Sequence, residues 1–81
     1  MLIDTNGFEI GDEVYIVKVF GNGKGKTILC HEKDFIYGFH YYDSKHKLYI
    51  DTQDSGMYAI KYCFHTEQQA IDYCNHMNGE E

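Results

Sequence analysis

Three times in this chain a cysteine stands close to a histidine, at Cys30-His31, Cys63-Phe64-His65 and Cys74-Asn75-His76, and His40 and His46 add two more imidazoles. Thiolate and imidazole are what a structural zinc takes, about four of them at tetrahedral geometry and usually from closely spaced pairs on turns. The pairs here lie in runs that read as strand and helix instead. Cys63 and His65 can share a strand face, but Cys74 and His76, two apart on a helix, point to different sides. The expectation is therefore three reduced thiols that behave as small hydrophobes, with no metal and no cofactor. A zinc-stabilised structural or oligomerisation module is the alternative.

Gly21-Asn22-Gly23-Lys24-Gly25-Lys26-Thr27 offers glycine amides followed by Lys and Thr, the residue types that cradle phosphate and magnesium. A phosphate loop needs four residues between its first two glycines and a helix after the threonine, whereas Gly21 and Gly25 enclose three and Ile28-Leu29-Cys30 reads as strand. For catalysis, His31, His40, His46, His65 and His76 are bases with carboxylates in plenty, yet Ser44 and Ser55 lie in turns where local hydrogen bonding explains them. No catalytic residue is assigned, and a small enzyme remains the third reading.

The acidic residues are the largest charged set. Thirteen Asp and Glu against seven basic residues give a formal charge of −6, and every basic residue is a lysine. Without arginine forks or a basic patch, direct nucleic-acid binding is disfavoured, while the negative field suits a basic protein partner. Carboxylates converging on one face would imitate a run of phosphates. The candidate partner-binding residues are accordingly Asp12, Glu13, Glu32, Asp34, Asp51 and Asp54, together with Tyr42 and Tyr49 as part of a tyrosine-rich patch suited to protein contact or self-association.

Those residues need elements to position them. At 81 residues, 43% apolar and 16% aromatic, the chain has room for a single domain with one thin core. Val14 to Phe20 is an unbroken β-branched and aromatic run and reads as a central strand; Asn22-Gly23 favours a hairpin, returning through Thr27 to His31. Glu32-Lys33-Asp34 reads as a polar break. From Phe35 to Tyr42, period-two alternation places Phe35, Tyr37, Phe39 and Tyr41 on one face, taken as the core face, and Gly38 in mid-run marks a candidate corner. Lys47 to Ile50 and Met57 to Phe64 are two further strands, the second with Tyr58, Ile60, Tyr62 and Phe64 on one side.

The period then lengthens. Thr66-Glu67-Gln68-Gln69 is a capping box, and Ala70, Ile71, Cys74 and Met77 recur at helical spacing before Asn78-Gly79, so a helix is expected over residues 67–77. The sum is an α+β domain: a curled antiparallel sheet or SH3-like barrel of about five strands, with one C-terminal amphipathic helix covering an open end. No apolar run is long enough to cross a membrane and the N-terminus lacks a secretion signal, so a cytoplasmic protein is expected.

Gly11-Asp12-Glu13-Val14-Tyr15, the aromatic run through Gly38, and Phe64-His65-Thr66-Glu67-Gln68-Gln69-Ala70 entering the helix together resemble the small SH3-like proteins of phages and other mobile elements. The resemblance spans most of the chain and brings no catalytic residue. It implies a small accessory protein of the kind that binds and disables host enzymes, anti-CRISPR proteins among them. The expected function is thus that of a non-enzymatic protein-binding module, a stoichiometric inhibitor or adaptor of a nucleic-acid-handling host enzyme such as a CRISPR effector. Self-association is left open.

Overall fold

A computed structural model describes residues 3–21 and 27–78. Five strands, a 3-10 turn and one helix follow in order: β1 (Glu13–Gly21), β2 (Thr27–Tyr42), β3 (Lys47–Thr52), β4 (Gly56–Ala59), the turn Ile60–Tyr62, β5 (Cys63–Phe64) and α1 (Glu67–Met77). The strands form one antiparallel sheet in the order β4-β3-β2-β1-β5. It curls without closing, so of the two expected architectures the open, curled sheet is the one realised. The β1–β2 ladder closes at Gly21↔Thr27 as a hairpin requires, though its expected turn at residues 22–25 lies outside the described residues.

The main core fills the inside of the curl. Phe8, Val14, Ile16, Ile36, Ile50 and Cys63 are buried there, with Phe39, Tyr58 and Ile60 packed against them. A second cluster lies on the opposite, outer face, where Val17, Ala70 and Cys74 are buried among Tyr15, Leu29, Tyr62, Phe64 and Tyr73. Strand β1 thus feeds both cores, Val14 and Ile16 inward and Tyr15 and Val17 outward, which is why four apolar residues follow one another there. The helix packs against β1, β2 and β5 on the outer face and does not cover an open end. Its contact centres on Ala70 and Cys74; Ile71 is only half-buried and Met77 is exposed, so the buried stripe is narrower than the expected one.

Strand β2 departs most from expectation. The polar break at residues 32–34 does not occur, and one 16-residue strand runs through it. Each polar side chain there has a partner: Glu32 pairs with Lys18 at 2.6 Å, Lys33 lies 3.5 Å from Glu13, and Asp34 accepts the amides of Phe35 and Asp54. The corner does fall at Gly38. Ile36 pairs with Thr52 and Gly38 with Asp51, leaving Tyr37 as an extra residue, a β-bulge. The bulge shifts the phase of the alternation by one residue. Ile36 and Phe39 both point into the core, and Phe35 and Tyr37, expected to be buried, are exposed at 41% and 71%.

Residues 57–64 also differ from the single strand expected. The chain must travel from the β3 edge of the sheet to the β1 edge, and the 3-10 turn Ile60–Tyr62 makes that crossing. Alternation restarts after it, so Tyr58, Ile60 and Cys63 face the main core while Tyr62 and Phe64 face the helix.

The capping box is present in full: Thr66 Oγ1 accepts the Gln69 amide at 3.2 Å and Gln69 Oε1 accepts the Thr66 amide at 3.4 Å. At the far end the Asn78 carboxamide accepts the Leu29 amide at 2.9 Å and donates to the Leu29 carbonyl at 3.1 Å, mimicking a neighbouring strand on the free edge of β2. Thr66→Ala is expected to cost about 1 kcal/mol, read as a lowered denaturation midpoint with unchanged slope.

Candidate protein-interaction face

The helix covers only half of the outer sheet face. The other half, made by the second part of β2 with β3 and β4, is bare. Register places on it Tyr37 and Gly38 beside Asp51 and Met57, then His40 beside Tyr49 and Ala59, then Tyr42 beside Lys47. Tyr42 meets Tyr49 edge to face at 5.1 Å, and Lys45 lies 6.0 Å from the centre of the Tyr42 ring. With Tyr42 at 40% and Met57 at 44% exposure beside the projecting Tyr37, this is an aromatic surface open to solvent, with Asp51 and Lys47 among its members.

The bulge creates this surface. Two residues opposite one force Tyr37 and Gly38 to the same side of the strand, so a protruding ring stands next to bare backbone. The alternation from Phe35 to Tyr42 shows an aromatic run but not which rings leave the core, because the phase shift lies in the pairing with β3.

The acidic candidates do not gather on one face. Glu13 and Asp51 lie on the outer side, Glu13 against Lys33 and Asp51 3.8 Å from His40. Glu32 lies on the inner side, held by Lys18 and by the Ser55 hydroxyl at 2.8 Å, and these two donors hold its carboxyl below the usual range. Asp12 is engaged in its own turn, accepting the Glu9 amide at 2.9 Å, and Asp54 lies on the exposed β3–β4 turn. Asp34 is buried at 3% exposure with both oxygens occupied, and so is a structural carboxylate with no surface to offer a partner. Burial alone would raise its pKa, but the surrounding polar groups of Ser55, Phe35, Asp54 and Thr52 outweigh burial and hold it below the usual 3.8.

No known family, curated protein or solved structure matches the chain. Its function has to be argued from its own surfaces.

Among the described residues, no three His, Cys, Asp or Glu side chains converge as a metal site would require. Cys63 and Cys74 are buried in different cores, and burial pushes the Cys63 thiol up to about 12, far from the thiolate a metal takes. An open concavity of about 530 Å³ is lined by Asn6, Ile60, Lys61, Phe64, His65 and Asp72 among others. It does bring a histidine and a carboxylate together, but each is occupied locally. His65 stacks on Phe8 with ring centres 3.8 Å apart and donates from Nε2 to the Asn6 carbonyl at 2.6 Å, while Asp72 accepts the Gln68 amide group at 2.9 Å.

That His65 contact depends on a tight turn before Phe8. Asn6 and Gly7 both have positive φ, 55° and 79°, and Phe8 donates its amide to Thr5 at 3.0 Å, so Asn6-Gly7 forms a tight turn that drives Phe8 into the core. The signal was the Asn-Gly pair itself. No helix among the described residues is long and apolar enough to cross a membrane.

Proposed function

We propose that the chain is a non-enzymatic protein-interaction module that works through the bare half of its outer sheet face. The exposed Tyr37, Tyr42 and Met57 carry this reading, because tyrosine is enriched in binding hot spots and methionine in interfaces, and the core is built without these three. The local engagement of His65 and Asp72 and the openness of the concavity they line weigh against catalysis. The acidic charge of −6 and the resemblance to phage SH3-like proteins support a basic, nucleic-acid-handling host enzyme as target, such as a CRISPR effector, with the chain as a cytoplasmic stoichiometric inhibitor or adaptor.

Titration of purified effectors with the chain tests this. A salt-sensitive complex of fixed stoichiometry is expected, weakened about tenfold or more by Tyr37→Ala, which is about 1.4 kcal/mol of binding. Absence of any complex across such enzymes, or turnover of a substrate by the chain alone, refutes it.

A further inference from the structure

The odd-numbered residues in the first part of β2 turn their backbone groups away from β1. Ile36 donates its amide to the Asp12 carbonyl at 3.0 Å, which fixes the even-numbered residues as those bonded on the β1 side, whereas the amide and carbonyl of Leu29 meet the Asn78 carboxamide. Strand β3 pairs with β2 only from Ile36 onward. Just before it, the Phe35 carbonyl accepts the Gln53 amide at 2.9 Å and the Phe35 amide is held by Asp34. Between these two stops stand His31 and Lys33, whose N–H and C=O point along the open edge and meet no partner among the described residues.

Asn78 shows what this edge takes. One donor and one acceptor from its carboxamide fill Leu29, and His31 and Lys33 offer the same pair again at two-residue intervals. Only an extended backbone matches that repeat. The stretch from Leu29 to Phe35 spans about 20 Å and is the continuation of the β3 row, which the chain leaves at Gln53.

The borders of the edge select for charge. An edge lysine ordinarily discourages pairing, but Lys33 lies against Glu13 and Lys18 stands on β1, so both cations are held on the closed side of β2. The open side is bordered by carboxylates. Glu67 reaches over His31 at 3.4 Å on the outer face, and Glu32 extends to the Ser55 hydroxyl of the β3–β4 turn on the inner face. A second copy does not fit here. An antiparallel two-fold about Glu32 would set the two Glu32 carboxylates side by side and drive Asn78 of each copy onto Gln53 of the other.

We infer that the His31–Lys33 edge of β2 is a strand-addition site for an extended, basic segment of a protein partner. The site is separate from the aromatic face and does not rest on that face being an interface.

Amide-resolved NMR of the whole chain, titrated to about 2 mM with the acetylated and amidated peptide Val-Lys-Val-Lys-Val, tests it. The His31 and Lys33 amides should exchange quickly in the free chain and slow severalfold with peptide, while Cys30 and Glu32 stay slow throughout. Glutamate in place of the peptide lysines should weaken binding about tenfold. Lys33→Pro removes a donor that the fold does not use, at an edge position where proline is tolerated, and should also weaken binding about tenfold. Asn78→Ala frees Leu29 and should strengthen it; if Lys33→Pro does not fold, this gain decides. Tyr37→Ala should change nothing. Absence of peptide binding, His31 and Lys33 amides already protected in the free chain, or shifts confined to Tyr37, Tyr42 and Met57 overturn the inference. So does protection that grows with protein concentration alone, which would seat a second copy on the edge.

Discussion

Ala70→Asp is expected to unfold the domain. Ala70 has no exposed surface and sits between the helix and β1, among Val17, Cys74 and the rings around them. The layer it enters is apolar and aromatic, so an aspartate introduced at this position must keep a charge there or protonate. The cost is about 3–5 kcal/mol. Against a total stability of roughly 4–12 kcal/mol for a chain of this length, that leaves little or none. Urea denaturation followed by circular dichroism should show a lost or sharply lowered transition. Ile71→Asp is the control: one position along, half-buried and outside the cluster, it should remain folded with a smaller loss. Equal effects at the two positions, or an Ala70→Asp variant with a wild-type midpoint, would show that the helix does not pack as described.

The second large effect is expected at Asp34. Removing its carboxylate in Asp34→Ala strips the amides of Phe35 and Asp54 of their acceptor and releases the β3–β4 turn from β2, for a loss of about 2–4 kcal/mol. Asp34→Asn keeps one carbonyl oxygen and should lose less. The pH dependence follows from the direction of the shift. Asp34 has a lower pKa folded than unfolded, so the unfolded chain binds the proton more readily; its contribution is complete above the usual 3.8 and disappears as pH falls through the folded value. Glu32, lowered from 4.5, acts in the same sense but is exposed and screened. Wild-type stability should therefore fall as pH drops below about 4.5, and Asp34→Asn should flatten that decline. Urea midpoints measured from about pH 7 down to pH 2 decide it; an unchanged slope in the variant would mean that Asp34 is not the group responsible.

Asp34 also shows why the candidate site was only partly legible. Glu32-Lys33-Asp34 has the composition of a loop, and nothing local distinguishes a loop from a strand whose polar side chains each meet a partner elsewhere. Those partners are Lys18, Glu13 and the amide of Asp54, 14 to 20 residues away. Of the tyrosine-rich patch expected from alternation, Tyr42 and Tyr49 lie beyond the bulge on neighbouring strands and meet edge to face, whereas Tyr62 turns toward the helix. Unbroken alternation through Gly38 places Tyr37 in the core, whereas the bulge leaves it 71% exposed.

The sequence by itself determined what is written within three or four residues. The Thr66 capping box and the helix over Glu67–Met77 are of this kind, as are the hairpin after β1 and the break in regularity at Gly38. These signals work through hydrogen bonds and backbone preferences that close locally, so no distant residue has to be known. Only the tertiary structure decided which face of β2 is buried, where residues 57–64 bend, and that Asp34 is interior. A strand has two faces related by a shift of one residue, and the choice between them lies in the pairing of β2 with β3 and in the core closed by Phe8.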